Sequence, residues 1–191
     1  MCSTKIILGS KSVGRRAVLD EAGYEYEAMV ADVDEKMIRF DDPEKLVLAL
    51  AHVKADALIG QIDEPVLLIT ADQVVVQNSV VLEKPESAEE ARKFLRGYRD
   101  DPMETYSSIV VTNTQTGKRA EGIDVARVYF GHITDEAIEE AITDGRVMHC
   151  AGAMRCEDAP LKQFVTKFEG TEDSTSGLPL ALLEKLMNEV R

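Results

Sequence analysis

The chain of 191 residues contains no tryptophan, and aromatic residues make up only 5% of it. Long apolar runs are missing too. The best, Leu46 to Ala51, falls far short of the roughly 20 residues a membrane-spanning helix needs, so no membrane partner is expected. Met1 to Lys5 lead straight into Ile6, Ile7 and Leu8, too short an apolar region for a secretion signal. The three cysteines, Cys2, Cys150 and Cys156, form no even framework and no C-x-x-C pair, which points to a reducing, cytoplasmic setting. His149, Cys150 and Cys156 lack a fourth metal ligand, so buried free thiols are expected. Neither a G-x-x-x-x-G-K-[ST] loop nor an internal repeat, low-complexity tract or Pro/Gly-rich linker occurs. The expectation is a single domain over 1–191, built as two lobes sharing one sheet.

What is abundant is acid. Asp and Glu number 35 against 22 Lys and Arg, for a formal charge of -13. That field repels nucleic acid polymers and excludes them as partners, yet it leaves room for a local basic pocket. Residues 1–19 hold Lys5, Lys11, Arg15 and Arg16 and no acid at all. A short strand at Lys5–Leu8, the loop from Gly9 to Gly14 and a helix opening on two arginines suit an anion cradle or, alternatively, a solvated helix start that is merely basic. Backbone N–H groups and guanidinium forks there favour phosphate oxygens.

Strand and helix patterns alternate along the chain. The first helix is expected from Arg15 to Ala22, and a second after Asp41-Asp42-Pro43, with Leu46, Leu50, Val53, Ala57 and Leu58 on one face. Val66–Val76 reads as an apolar strand broken at Thr70-Ala71-Asp72-Gln73, and Asn78-Ser79 as a turn into Val80–Leu82. A third helix opens at Pro85 and Ser87, strands follow at Ser107–Thr112 and Ile123–Ile133, a helix ends at Gly145, and the last runs from Pro179 to Val190. The class is α/β with a mixed sheet and flanking helices.

Four features can carry chemistry. The basic first loop is one. Asp72 sits in the most apolar run of the chain, where a carboxylate must be paired, liganded or exposed at a strand end. Lys84 stands at a strand-to-helix junction and Lys54 on the second helix. Asp32, Asp34 and Glu35 cluster in an extended stretch that suits one or two Mg²⁺ contacts or a solvated acidic loop.

Taken in order, these pieces resemble the Maf family of nucleotide pyrophosphatases, which hydrolyse nucleoside triphosphates to monophosphate and diphosphate. The likeness runs through Ile7–Arg16, Asp32–Glu35, Lys54-Ala55, Thr70–Val75, Glu83-Lys84-Pro85, His149–Gly152 and Gly177–Leu180. It implies an elongated mixed α/β fold with a cleft between two lobes, related to inosine triphosphate pyrophosphatase and commonly a homodimer. By the same resemblance Asp72 is the catalytic proton acceptor for water attacking the α-phosphorus. Ser10, Arg15, Arg16, Lys54 and Lys84 match triphosphate-binding positions. Glu35, with Asp72, matches an acidic position for a divalent cation, Mg²⁺ or Mn²⁺.

Within the family one branch acts on dTTP and UTP and another on 7-methyl-GTP. This chain sides with the second at three places: the longer first loop that includes Gly14, Gln73 after Asp72, and Glu157 where the pyrimidine branch has glutamine. A carboxylate at 157 can accept the two adjacent N–H donors of guanine and offset the charge of a 7-methylated base. Val13-Gly14 replaces the Pro-Trp common in that branch, so the loop brings no aromatic platform. The alternatives are a dTTP/UTP pyrophosphatase and a non-catalytic nucleotide-binding regulator of cell division. The intact set of Asp72, Glu35, Lys54 and Lys84 argues against the regulator, which has no need of a general base.

Overall fold

The computed structural model describes residues 5–155 and 159–191. The β-branched runs become strands β1 (Lys5–Gly9), β2 (Glu27–Met29), β3 (Val66–Gln77), β4 (Val80–Leu82), β5 (Met103–Asn113), β6 (Arg119–Phe130) and β7 (Val165–Glu169). Among the described residues these form one mixed sheet in the order β2-β1-β3-β5-β6-β7, with β4 paired to β3. β1 is parallel to both β2 and β3, while β4 is antiparallel to β3 and β7 to β6. The helices are α1 (Val13–Glu21), α2 (Pro43–Ile59), α3 (Ala88–Gly97), α4 (Asp135–Asp144), α5 (Glu172–Thr175) and α6 (Leu180–Val190). The chain therefore adopts the expected α/β class, a mixed sheet flanked by helices.

Two compact units divide the chain, and β3, β5 and β6 contribute residues to both. In the unit of Met1–Gln73, Ser107–Asp124 and Ser176–Arg191, strand parity decides which core a side chain joins. Ile7, Val66, Leu68 and Val110 pack with Ala51, Ala55 and Leu58 of α2. Their neighbours Ile6, Leu8, Leu67, Ile69, Ile109 and Val111 pack with Val18 and Leu19 of α1 and with Leu183, Leu186 and Val190 of α6. Both faces of this part of the sheet are covered, so the strands read as continuous apolar runs without alternation.

The unit of Val74–Tyr106 and Val125–Thr175 has its own core. Tyr98 lies at its middle with Leu95, Val128, Phe130 and Ile138, and its hydroxyl donates to the Gly152 carbonyl at 2.9 Å. Ser87 caps α3 by accepting from Glu90 N at 3.1 Å, while the Glu90 carboxylate accepts from Glu86 N at 2.7 Å. Asn78 and Ser79 both take positive φ, as a two-residue hairpin between β3 and β4 requires.

The structure corrects several boundaries. β3 is not broken at 70–73 but runs on through twelve residues, because its two awkward polar side chains find partners on α2. Thr70 Oγ1 donates to the Ala51 carbonyl at 2.9 Å, and Asp72 is held by Lys54. α1 begins at Val13 rather than Arg15, since Ser12 caps it by accepting from Arg15 N. β6 spans Arg119–Phe130 instead of 123–133, and the short β2, β7 and α5 had no periodic signal.

Candidate functional site

The site grows from the place where parallel pairing stops. The β1–β3 ladder ends at Leu8 opposite Ile69, and β3 continues past it through Thr70, Ala71 and Asp72. Asp72 is thus mid-strand in β3 yet just beyond the carboxyl end of β1, where α/β sheets gather ligands. From that end the chain passes through Gly9 and Ser10 into α1. Ser10 is buried, and its hydroxyl accepts from Ser12 N at 3.1 Å and from Arg15 Nη1 at 3.3 Å. The first turn of α1 contains no acid, so its N-terminal dipole and two arginines reinforce each other.

Asp72 is only 6% exposed. Its Oδ1 lies 2.5 Å from Lys54 Nζ on α2, and the same ammonium reaches Glu35 Oε1 at 2.9 Å. Burial raises the Asp72 carboxyl above its ordinary value, although the charges of Lys54 and Arg15 pull the other way. Burial also works against the charge on Glu35. There the hydrogen bond and charge of Lys54, with Lys11 and Arg15 behind them, prevail and hold the carboxyl below its ordinary value. One ammonium therefore joins two carboxylates whose affinities for a proton are pushed apart.

Arg15 lies on the other face of β3. Its Nε donates to the Gly177 carbonyl at 3.0 Å, and its Nη1 donates to the Ala71 carbonyl at 3.0 Å as well as to Ser10 Oγ. Burial lowers the guanidinium's proton affinity from its ordinary value, with Asp72 and Glu35 acting in the opposite sense. Gln73 shares this face and donates from Nε2 to Ser107 Oγ at 3.0 Å. Successive strand residues point to opposite faces, so Asp72 meets α2 while Gln73 meets the α1 and 177 side. Arg16 Nη2 donates to the Ser10 carbonyl at 3.4 Å, and its buried Nε has no hydrogen-bond partner among the described residues.

Not every expected residue joins this group. Of the acidic cluster only Glu35 reaches Lys54, while Asp34 caps the short turn Glu35–Met37 by accepting from Lys36 N at 3.1 Å. Lys84, in the other unit, is exposed and lines an open cavity of about 620 Å³ between the β3–β4 hairpin and α3. Gly14 lies in the first turn of α1, where a β-carbon would stand 3.3 Å from the Ser176 carbonyl. Glu157, Cys156 and Cys2 lie outside the described residues. Among the described residues no group of three or more His, Cys, Asp or Glu side chains could hold a metal ion. The set of Glu35 and Asp72 fits a divalent cation that arrives already bound to phosphates, since Mg²⁺ takes one or two carboxylates and keeps its remaining oxygens from water and substrate.

Gly177 and Ser107 join the site although their residue types and spacing do not mark them as site residues in the sequence. Gly177 stands in the sequence only as part of the Gly177–Leu180 motif. Ser107 gave a weak signal, a small polar residue within a buried strand.

Fold and geometry together define an α/β protein in which a strand–loop–helix segment carrying two arginines lies beside a buried carboxylate held by Lys54. The chain belongs to the Maf family: the family model described as Maf-like protein matches residues 5–190. A Dictyostelium discoideum protein named 7-methyl-GTP pyrophosphatase is 40% identical, over 100% of this chain and 99% of its own. A Synechococcus protein named nucleoside triphosphate pyrophosphatase is 35% identical, over 97% of this chain and 93% of its own. A dTTP/UTP pyrophosphatase of Alkaliphilus metalliredigens is 34% identical, over 97% of this chain and 95% of its own.

Proposed function

We propose that this chain hydrolyses a nucleoside 5′-triphosphate to the monophosphate and diphosphate, with 7-methyl-GTP as its preferred substrate. Family membership and the names of the relatives support the coarse activity, nucleoside triphosphate pyrophosphatase, which makes the chain a hydrolase. The observation that carries the mechanism is the Lys54 ammonium held between Asp72 and Glu35, beside a fixed Arg15.

In the free protein Lys54 occupies an oxygen of Asp72. Triphosphate oxygens offer that ammonium a stronger set of acceptors, and Arg15, Arg16 and Ser10 bind the remainder of the chain of phosphates. Asp72 then accepts a proton from a water as the water oxygen bonds to the α-phosphorus and the bond to the diphosphate breaks. A carboxyl whose proton affinity is raised by burial is better matched to this task near neutral pH than an ordinary aspartate. A divalent cation held by Glu35 and Asp72 would supply charge neutralisation to the phosphates.

For the base, the 40% identical relative named for 7-methyl-GTP favours that substrate over the pyrimidines of the 34% identical one. Gln73 and Glu157 are assigned to reading the base, with Ser107 orienting the Gln73 amide. dTTP and UTP are the second reading, supported by the several pyrimidine-named relatives. A panel of nucleoside triphosphates with Mg²⁺ or Mn²⁺, read by diphosphate release, tests both. Preferred cleavage of UTP or dTTP reverses the base assignment, and release from no nucleotide removes the enzymatic one. A cytoplasmic homodimer completes the proposal, and sedimentation equilibrium reads its assembly.

A further inference from the structure

We propose that Gly177 is a positioning residue for Arg15, its carbonyl and bare α-carbon setting the plane in which the guanidinium meets the triphosphate. This rests on the triphosphate reading above. Three protein acceptors hold Arg15: the carbonyls of Gly177 and Ala71 and the hydroxyl of Ser10. Ser10 and Ala71 belong to the β1 loop and to β3. Gly177 comes from 162 positions away, just before α6, and is the acceptor for Nε. Two carbonyls on adjacent nitrogens fix both the tilt and the rotation of a planar fork, which a single contact cannot do.

The α-carbon is as constrained as the carbonyl. A β-carbon at 177 would stand 3.2 Å from Arg15 Nε and 3.2 Å from Gln73 Oε1. Neither neighbour is loose, because Gln73 is tied to Ser107 and Arg15 to Ala71 and Ser10. With φ at +83° the backbone also sits in the left-handed region that glycine alone adopts without strain. One position thus abuts the candidate phosphate-binding cation and the candidate base-reading amide together. A side chain there moves the guanidinium by a few tenths of an ångström without removing any charged group from the site.

The test is a double-mutant cycle of Gly177→Ala and Arg15→Met, repeated with Arg15→Lys. Turnover of 7-methyl-GTP and calorimetric binding of inorganic tripolyphosphate are both read. Gly23→Ala is the control for strain, since Gly23 has φ +75° and nothing within 4 Å of an added β-carbon. A misplacement of 1 Å can cost on the order of 100-fold, so Gly177→Ala is expected to lower kcat and kcat/KM by about tenfold. Tripolyphosphate affinity falls with it, and the loss disappears once Arg15 is replaced. Gly23→Ala lowers the melting midpoint without moving either readout. Additive losses in the double variant, or an equal kinetic loss in Gly23→Ala, would overturn the role. A wild-type chain that binds tripolyphosphate but cleaves no nucleotide overturns the activity instead, and the binding cycle still decides the positioning. Absence of tripolyphosphate binding overturns both.

Discussion

Replacing Asp72 by Asn changes one oxygen for an amide nitrogen and keeps the volume of the side chain. The Asn carbonyl can still accept from Lys54, now at 2.5 Å from Asp72 Oδ1, so the ammonium stays near its present place. What disappears is the ability to take a proton from water. General-base catalysis is worth about 100- to 10,000-fold, or roughly 3 to 5 kcal/mol of barrier. The expectation is a fall in kcat of that size with nucleotide binding changed by no more than a few-fold. Steady-state turnover and calorimetric binding measure the two separately.

The pH profile sharpens the same experiment. Because burial raises the carboxyl, the acidic limb of kcat/KM should fall above the ordinary aspartate range, near 3.9, and should be missing from the residual activity of the variant. Stability carries the opposite signature. Between the unfolded value and the raised native one, the folded chain keeps a proton that the unfolded chain has released. The Asp72 contribution to stability therefore declines as pH rises through that window. Asn does not titrate, so the stability of wild type relative to Asp72→Asn should drop from pH 4 towards neutrality. Retention of kcat within tenfold, or an acidic limb unchanged in the variant, would refute the role of Asp72.

Lys54→Met removes the cation shared by Asp72 and Glu35 and leaves a buried carboxylate without its partner. Breaking such a pair costs about 3 to 5 kcal/mol, so the melting midpoint at neutral pH should fall by roughly 6 to 20 °C, and less in acid where Asp72 takes up a proton. Scanning calorimetry reads this, and a midpoint within 1–2 °C (about 0.5 kcal/mol) of wild type would show the pair to be inconsequential. Ser107→Ala removes the donor-side anchor of Gln73 at a cost of about 1 kcal/mol, near fivefold. The ratio of kcat/KM for 7-methyl-GTP over UTP should change by about that factor, and an unchanged ratio would separate Gln73 from base selection.

Much of the fold is local information. Asp42 ahead of Pro43 and Ser87 with Glu90 mark helix starts through side chains that bond within three residues, and Asn78-Ser79 marks a turn through its own backbone angles, so all three are readable from the chain alone. β3 looks broken in the sequence for the complementary reason. Thr70 and Asp72 are poor strand-interior residues until Ala51 and Lys54 of α2 stand opposite them. The short β2 and β7 carry too few residues for a period to show and exist through pairing with β1 and β6.

The sequence by itself determined the alternation of strands and helices, the acid-free first nineteen residues and the family motifs. Each of these is a pattern of neighbours, and neighbouring residues impose it through propensity, charge and period. The tertiary structure decided which of those motifs touch. Lys54 meets Asp72 across 18 positions and Arg15 meets Gly177 across 162. Strand parity then sends Asp72 and Gln73 to opposite faces although they are adjacent in sequence. Such meetings depend on the packing of α1, α2 and the 177 turn around the end of β1, and contacts between distant segments leave no periodic trace along the chain.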